Sequence, residues 1–169
     1  IKDYDLPKIK TLKNDVLILT ANYLLNDSSK VYAEKAIEYL QTWFINPSTK
    51  MTPHLKYSQG IPGLYEGRPV GILEGIRFIY LLDAINILKD SPYWNKKIER
   101  RLFYWFSDYS NWLHKSEMGR GARIKKNNHG SWYDLQLITI SLSVGKTLRA
   151  IQTLQKVPSR RIEEQIDEE

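Results

Sequence analysis

The chain has 169 residues, no cysteine and a formal net charge of +6, from 25 Lys and Arg against 19 Asp and Glu. The length is typical of one domain. A hydrophobic fraction of 42% with 26% charged residues indicates a folded chain and excludes disorder and fibrous repeats. The absence of cysteine excludes disulfides, thiolate zinc sites and a cysteine nucleophile. The positive charge favours an anionic partner: nucleic acid, a membrane surface or an acidic polysaccharide.

The longest apolar-rich stretch, residues 72–88, contains Glu74, Arg77 and Asp83. A membrane span needs about 20 predominantly apolar residues, so no membrane-spanning helix is predicted. The chain opens on Ile1-Lys2 without Met or an apolar signal region. Any targeting peptide was therefore removed or was never present.

The first two helices are predicted over residues 9–25 and 31–44, where apolar residues recur at spacings of three and four. Polar clusters at 26–29 and 46–48 end them, and we expect the two helices to form an antiparallel hairpin. Residues 45–68 are rich in proline and glycine and show no sustained period. So long a loop is uncommon inside a compact domain and is typical of a lid or a binding loop.

The third helix is predicted over residues 69–89 and is apolar nearly all round, so we expect neighbours on several sides. The fourth is expected to begin at Ser91-Pro92, a capping residue followed by proline at the first helical position, and to run to residue 113. The third and fourth helices should pack as a pair.

Residues 116–130 carry several glycines and basic side chains and are expected to form an exposed loop. The fifth helix should start at Ser131, with Asp134 completing a capping box, and continue to residue 154. A sixth helix, capped by Ser159, is predicted over residues 159–169. No strand pattern interrupts this series, so we predict an all-α fold of antiparallel helical hairpins.

The run Asn127-Asn128-His129-Gly130 comes directly before the predicted start of the fifth helix. An asparagine amide donates hydrogen bonds and an imidazole exchanges a proton near neutral pH, so at a helix N-terminus they suit neutralisation of a uronic-acid carboxylate. β-Elimination from such a sugar needs this neutralisation, because the transition state places more negative charge on the carboxylate. In the alternative reading, which stays open here, the asparagines form an Asx-type turn and His129 only bonds nearby groups.

Residues 127–134, Asn-Asn-His-Gly-Ser-Trp-Tyr-Asp, closely resemble the Asn-Asn-His-Gly-Thr-Trp-Tyr-Asp signature of the alginate lyase family of helical-toroid polysaccharide lyases. Three further stretches agree with that family in the same order: residues 32–44, 51–59 and 67–72. The similarity runs from residue 21 to residue 145 and continues more weakly to Arg161-Ile162 and Gln165-Ile166.

This resemblance implies helical hairpins that form part of an (α/α) toroid, here an incomplete barrel. It implies a lyase that cleaves alginate or a related uronate polymer by β-elimination. Asn128 and His129 would lie at the carboxylate and proton-transfer site, and Gln59 and Arg68 would line the sugar groove. For Arg68 the alternative is an exposed arginine in the first turn of a helix.

The resemblance also places Trp132 and Tyr133 in contact with substrate, where their rings would stack on or hydrogen-bond a pyranose. Since adjacent positions on a helix face different directions, one of the two is expected to point into the core, and we favour Trp132 as the groove residue.

Two residues of the family pattern, a downstream arginine and a tyrosine that serves as catalytic base and acid, are missing from these 169 positions. We interpret residues 1–169 as the N-terminal portion of a single α/α-toroid lyase domain whose C-terminal part is absent. The alternative is a shortened homologue that has lost catalysis. A third possibility, that Tyr57, Tyr65 or Tyr133 replaces the missing tyrosine, has no support from spacing.

His54 and His114 combine with no carboxylate or histidine at a metal-ligand spacing, so we expect no metal and no cofactor. The expected partner is an anionic polysaccharide; nucleic acid is disfavoured because no known binding motif accompanies the charge. The alternative function is a non-catalytic domain that binds acidic polysaccharide. The resemblance implies a periplasmic or secreted location, and neither uronate preference nor oligomeric state is predicted.

Overall fold

A computed structural model of the protein describes residues 5–166. Within that range the helical elements follow in the order α1 (Asp5–Leu25), α2 (Lys30–Phe44), a 3-10 helix (Pro69–Ile76), α3 (Arg77–Leu88), α4 (Lys96–Lys115), α5 (Glu117–Arg123), α6 (Asn128–Ser143), α7 (Thr147–Leu154) and a π-helical turn (Pro158–Glu163). No strand forms between residues 5 and 166, where an isolated antiparallel bridge joins Ile61 to Tyr65. The prediction of an all-α fold is confirmed.

The first hairpin forms as the sequence predicts. α1 packs against α2 and α3, and it buries Ile9, Leu12 and Val16, which recur at spacings of three and four along one face. The turn between α1 and α2 is tight because Asp27 and Ser28 both take left-handed backbone angles, with φ of 48° and 56°. Asp and Ser tolerate this region better than bulky residues, since their short polar side chains bond locally.

An aromatic cluster joins α2, α3 and α4. Phe78 of α3 has no exposed surface, and its ring centroid lies 4.9 Å from that of Tyr109 and 5.4 Å from that of Trp105, both in edge-to-face geometry. Phe44 of α2 packs edge-on at 4.6 Å from Trp105. Such pairs contribute about 0.5–1.5 kcal/mol each beyond the burial of their area, so this cluster holds three helices together.

The third predicted helix divides into two kinds of helix. Residues 69–76 form a 3-10 helix and the α-helix begins only at Arg77. Two carbonyls of this segment also accept from side chains elsewhere in the fold: Gly71 O accepts from Ser58 Oγ at 2.9 Å, and Ile72 O accepts from Gln136 Nε2 at 3.0 Å. These contacts fix the 3-10 helix to the preceding loop and to α6.

The predicted start of the fourth helix is wrong. α4 begins at Lys96, and Asn95 caps it through Oδ1, which accepts from Lys97 N at 2.7 Å. Ser91 is buried in the preceding turn, where its carbonyl accepts from Trp94 N at 3.1 Å. Because the turn places Ser91 outside the helix, the Ser-Pro pair cannot serve as cap and first helical residue.

The region predicted as an exposed loop is largely helical. α5 occupies Glu117–Arg123, and Ser116 caps it by accepting from Gly119 N at 3.0 Å. The predicted fifth helix is interrupted at Gly145, whose φ of +69° favours glycine and separates α6 from α7. The predicted sixth helix is a π-helical turn, Pro158–Glu163, and its last three positions, 167–169, lie outside the described residues.

The packing of α6 on the 3-10 helix leaves no room for a side chain at Gly75. A Cβ at Gly75 would lie 2.2 Å from Gln136 Oε1 and 2.3 Å from the Tyr109 hydroxyl, which themselves form a buried 3.2 Å hydrogen bond. We expect Gly75→Ala to lower the free energy of unfolding by about 1–3 kcal/mol, as overpacking does elsewhere. Urea unfolding monitored by circular dichroism measures this, and an unchanged midpoint would contradict the close packing.

Candidate active site

The first turn of α6 carries the residues singled out in the sequence. Asn127 is the N-cap, and its Oδ1 accepts from His129 N at 3.1 Å while its carbonyl accepts from Gly130 N at 2.9 Å. α6 therefore starts at Asn128, and the prediction of a start and cap at Ser131 is wrong. The Asx-type reading holds for Asn127, which caps the helix, while Asn128 is the first helical residue and takes no part in the cap. The role of Asn128 at a carboxylate stays a prediction.

Because Asn127 caps the helix, some backbone N–H groups at the start of α6 are no longer available to bind an anion. The backbone N–H groups of His129 and Gly130 are already used by Asn127, so the helix end offers fewer free amides than the sequence suggested. Asn128 is exposed and His129 is half-buried, with its Nδ1 shielded from solvent and without a partner among the described residues. The side chains of these two residues are consequently the donors that the first turn presents.

A buried arginine lies behind this turn. Arg161 of the π-helical turn donates from Nε to Asp134 Oδ2 at 2.7 Å, from Nη1 to Lys125 O at 2.7 Å and from Nη2 to Arg123 O at 2.8 Å. The side chains of Arg161 and Asp134 are only 7% and 3% exposed. Asp134 is thus the partner of Arg161, and the predicted capping box with Ser131 does not form.

Gly130 and Ser131 contact the same segment. A Cβ at Gly130 would lie 2.1 Å from Lys125 O and 2.4 Å from Arg161 Nη1, so only glycine fits between the connection and the guanidinium. Ser131 Oγ donates to Gln165 Oε1 at 3.2 Å. The glycine of the signature is therefore required by the close approach of Arg161.

Trp132 and Tyr133 face different surroundings. Tyr133 has no exposed surface, and its hydroxyl donates to Leu113 O at 3.3 Å. Burial raises the pKa of Tyr133 to about 12. The assignment of Tyr133 to substrate binding is corrected, because a fully buried ring cannot contact a polymer, and the same burial removes it as a replacement base. Trp132 is half-buried, in agreement with the expectation that one of the two rings turns outward.

Gln59 and Arg68 are brought together in the loop between α2 and the 3-10 helix. Arg68 Nε donates to the Gln59 carbonyl at 2.8 Å, and Gln59 takes a left-handed conformation with φ of 50°. The Gln59 amide reaches Glu74 Oε1 at 3.4 Å, and Glu74 also pairs with Arg77. Arg68 occupies the N-cap position of the 3-10 helix with extended backbone angles and is half-buried, so the reading of Arg68 as a fully exposed arginine is wrong.

The two pairs of predicted site residues are connected through α5. The 3-10 helix packs against α5 and α6, and a Cβ at Gly121 of α5 would lie 2.7 Å from Pro69 Cγ, directly after Arg68. Within the part of the chain that the structure describes, no hydrogen bond or ion pair joins Gln59 or Arg68 to Asn128 or His129. The fold thus places the pairs on adjoining elements without direct contact.

A small cavity of about 50 Å³ lies beneath Tyr133 and is lined by basic side chains that include Arg123 and Arg149. His114 also lines it and has a shielded Nδ1 without a partner among residues 5–166. Burial, and then the charges of Arg149 and Arg123, lower the pKa of His114 below its usual 6.5. No group of three or more His, Asp or Glu side chains that could hold a metal occurs among the described residues.

Comparison with known proteins decides the family. The model of the alginate lyase family matches residues 2–169. The chain belongs to the alginate lyase family. An alginate lyase from Bacteroides ovatus, known from a crystal structure, superposes with a TM-score of 0.91 at 32% identity, and the match covers 96% of this chain and 43% of that one. The chain therefore spans less than half the length of that relative.

The superposition also settles the fold. Together with the helical architecture of residues 5–166, it confirms the prediction that these hairpins are part of an all-α toroid. No curated protein matches the chain. Between residues 5 and 166, no helix of this alginate lyase family member has the length and apolar character needed to cross a membrane.

Arg161 and Asp134 are site residues that sequence reasoning missed. The weak similarity to the family at Arg161-Ile162 and Gln165-Ile166 was the signal that could have pointed to the arginine. Asp134 was noticed but read as a local cap. A partner 27 positions away in the chain has no local pattern by which a sequence reveals it.

The cap of α6 gives a stability prediction for this family member. Asn127→Ala removes the acceptor for His129 N, and we expect the free energy of unfolding to fall by about 1 kcal/mol, whereas Asn127→Asp keeps an acceptor and should stay near the native value. Urea unfolding compares the two variants. Equal stability of both would show that the side chain of Asn127 does not cap the helix.

The half-buried His114 gives a pH prediction. Because its pKa is lowered in the folded state, the unfolded chain binds the proton more readily. The stability contributed by neutral His114 is therefore present above pH 6.5, its usual pKa, and is lost as the pH falls below it. We expect His114→Gln to reduce the loss of thermal stability between pH 7.5 and pH 5, as measured by melting temperature. A variant that follows the native curve throughout would contradict this assignment.

Proposed function

We propose that the protein is a polysaccharide lyase that cleaves alginate or a related uronate polymer by β-elimination. Asn128 and His129 neutralise the uronate carboxylate and assist proton transfer. The observation that carries this proposal is the presentation of Asn128 and His129 by the first turn of α6, inside the Asn-Asn-His-Gly-Ser-Trp-Tyr-Asp stretch of a chain that belongs to the alginate lyase family.

The chemistry requires donors at the carboxylate. In β-elimination a base removes the C5 proton, a C4–C5 double bond forms, the C4–O bond breaks and the leaving oxygen takes up a proton. The C5 proton is only weakly acidic beside an ionised carboxylate, so donors that hold the growing negative charge lower the barrier. The amide of Asn128 donates hydrogen bonds without changing charge, and the imidazole of His129 carries one ring nitrogen that donates and one that accepts.

The charge distribution supports an anionic polymer. The whole chain carries a net charge of +6, and the connection into α6 exposes Lys125 and Lys126, while Arg120 is exposed on α5. Lys125 and Lys126 directly precede Asn127 and the turn that carries Asn128 and His129, and Lys126 also pairs with Glu164 at 3.2 Å. A positive surface of this kind raises the encounter rate with an anionic substrate, an effect that salt weakens.

The family resemblance implies a base tyrosine downstream of these 169 positions, so no residue of this chain is assigned that role. A second candidate function, favoured by the net charge of +6, is the binding of acidic polysaccharide without cleavage. Gln59, Arg68 and Trp132 would line the groove under either function. A periplasmic or secreted location belongs to the same proposal, since the polymer lies outside the cytoplasm.

The decisive experiment follows the ultraviolet absorbance of the unsaturated product with the intact protein on alginate and on other uronate polymers. We expect His129→Ala to lower kcat/KM by about 10²-fold or more, the range of lost general acid–base catalysis, and Asn128→Ala to lower it through lost charge stabilisation.

His114→Gln is the matched control, since it alters a half-buried histidine on α4 and should keep native turnover. Native turnover in His129→Ala would remove this residue from the mechanism. Binding of alginate by the native protein without any product would favour the non-catalytic function.

A further inference from the structure

The residues around the α5–α6 connection point to a role for Arg161. We infer that Arg161 is a positioning residue for Asn128 and His129: it binds two backbone carbonyls before the first turn of α6 and the Asp134 side chain after it, and so sets where the side chains of Asn128 and His129 stand. The catalytic consequence rests on the proposed function. The structural part does not depend on it.

The contacts of Arg161 enclose the site turn. Its acceptors are the carbonyls of Arg123 and Lys125, just before Asn127, and the carboxylate of Asp134, one and a half turns after Asn128. Arg161 itself comes from the π-helical turn, a distant part of the chain. The guanidinium of Arg161 therefore connects the segment before the first turn of α6 to the segment after it.

The geometry needs an arginine. A guanidinium presents its N–H donors in a planar fork, and here Nε, Nη1 and Nη2 each have a different acceptor at 2.7–2.8 Å. A lysine ammonium is a compact point charge on a flexible stem and cannot reproduce this planar arrangement. Asp134 supplies the compensating charge for a guanidinium that is almost fully buried.

Two neighbouring contacts brace the same region. The Ser131–Gln165 hydrogen bond and an ion pair of 3.2 Å between Lys126 and Glu164 also link α6 and its connection to residues just after Arg161. Gly130 lets the guanidinium approach the backbone, as a Cβ there would collide with it. Both flanks of Asn127–Asn128–His129 are thus fixed by one segment.

Such bracing affects catalysis more than substrate binding. Reacting groups must stand within a fraction of an ångström of their productive place, and a displacement of 1 Å costs about 10²-fold in rate. If the first turn of α6 moves, the polymer still binds Gln59 and Arg68, because these two residues belong to another loop. Loss of Arg161 should therefore lower kcat far more than it raises KM.

The test compares Arg161→Lys with Arg149→Gln in the intact protein. Arg149 is a matched control: it is a half-buried arginine of α7 that donates to Ser110 Oγ at 2.9 Å and Asn111 Oδ1 at 3.2 Å, and it lines the small cavity beneath Tyr133 without a hydrogen bond to residues 126–131. Kinetics on alginate are measured well below both melting temperatures, with native circular dichroism as a condition. Asp134→Asn, which keeps the shape of the partner, is the second variant if Arg161→Lys does not fold.

We expect kcat of Arg161→Lys to fall by about 10²-fold with KM changed only a few-fold, as for a misplaced catalytic group. Arg149→Gln should lose thermal stability and keep kcat. If the two variants lose the same stability and both keep native kcat, Arg161 is merely structural and the inference is wrong.

Amide hydrogen exchange separates this inference from the proposed function. In Arg161→Lys we expect amides of residues 126–131 to exchange at least about tenfold faster while those of α2 and α3 stay native, because the turn opens locally. Native exchange rates in residues 126–131 would overturn the inference whatever the activity. An inactive native protein whose turn still loosens in Arg161→Lys would instead refute the proposed function and leave the bracing established.

Discussion

Three hydrogen bonds from one buried guanidinium hold together the region on which the candidate site depends. Arg161 donates to the backbone carbonyls of Arg123, the last residue of α5, and Lys125 of the following connection, and it pairs with a carboxylate in the first half of α6. Because an unpaired buried charge is costly, guanidinium and carboxylate need each other to remain inside the protein. This ion pair fixes the position of the first turn of α6. Residue 130 must be glycine because the guanidinium leaves no room for a Cβ there.

A second set of buried polar contacts positions the other half of the site. Gln136 donates to the carbonyl of Ile72 and accepts from the Tyr109 hydroxyl, which fastens the 3-10 helix to α6 and α4. Since Arg68 stands at the N-cap of that 3-10 helix, its place relative to α6 follows from a glutamine in the core. Buried side-chain amides satisfied at both ends make the arrangement specific, whereas apolar packing alone tolerates small sliding of helices.

The aromatic cluster around Phe78 stabilises the packing of the helices that carry these polar contacts. It contributes through buried area and edge-to-face geometry among α2, α3 and α4. The side chains proposed to act in catalysis, Asn128 and His129, lie outside it, on the first turn of α6. The proposed function and the stability of the fold thus rest on different residues, and Asn128 can stay exposed at little cost to the fold.

The sequence by itself determined the all-α class and the first hairpin, and it predicts the residues proposed to carry the chemistry. A helical period is visible in a sequence when apolar residues recur at every third and fourth position. In α1 and α2 this pattern is present within each segment itself. The Asn-Asn-His-Gly-Ser-Trp-Tyr-Asp stretch identified the family because chemistry and helix start lie within eight adjacent positions.

Tertiary structure decided what depended on distant partners. Ser58 and Gln136 bind carbonyls of the 3-10 helix that begins the predicted third helix. Arg161 pairs with Asp134 in place of the predicted capping box, and the Tyr133 side chain points inward and donates to Leu113 O. A local sequence pattern shows periodicity and capping tendency. It does not show which carbonyl will accept a hydrogen bond from a donor 64 positions away in the chain. Such hydrogen bonds form only when the chain has brought both groups out of water, and so they belong to the fold rather than to any segment of it.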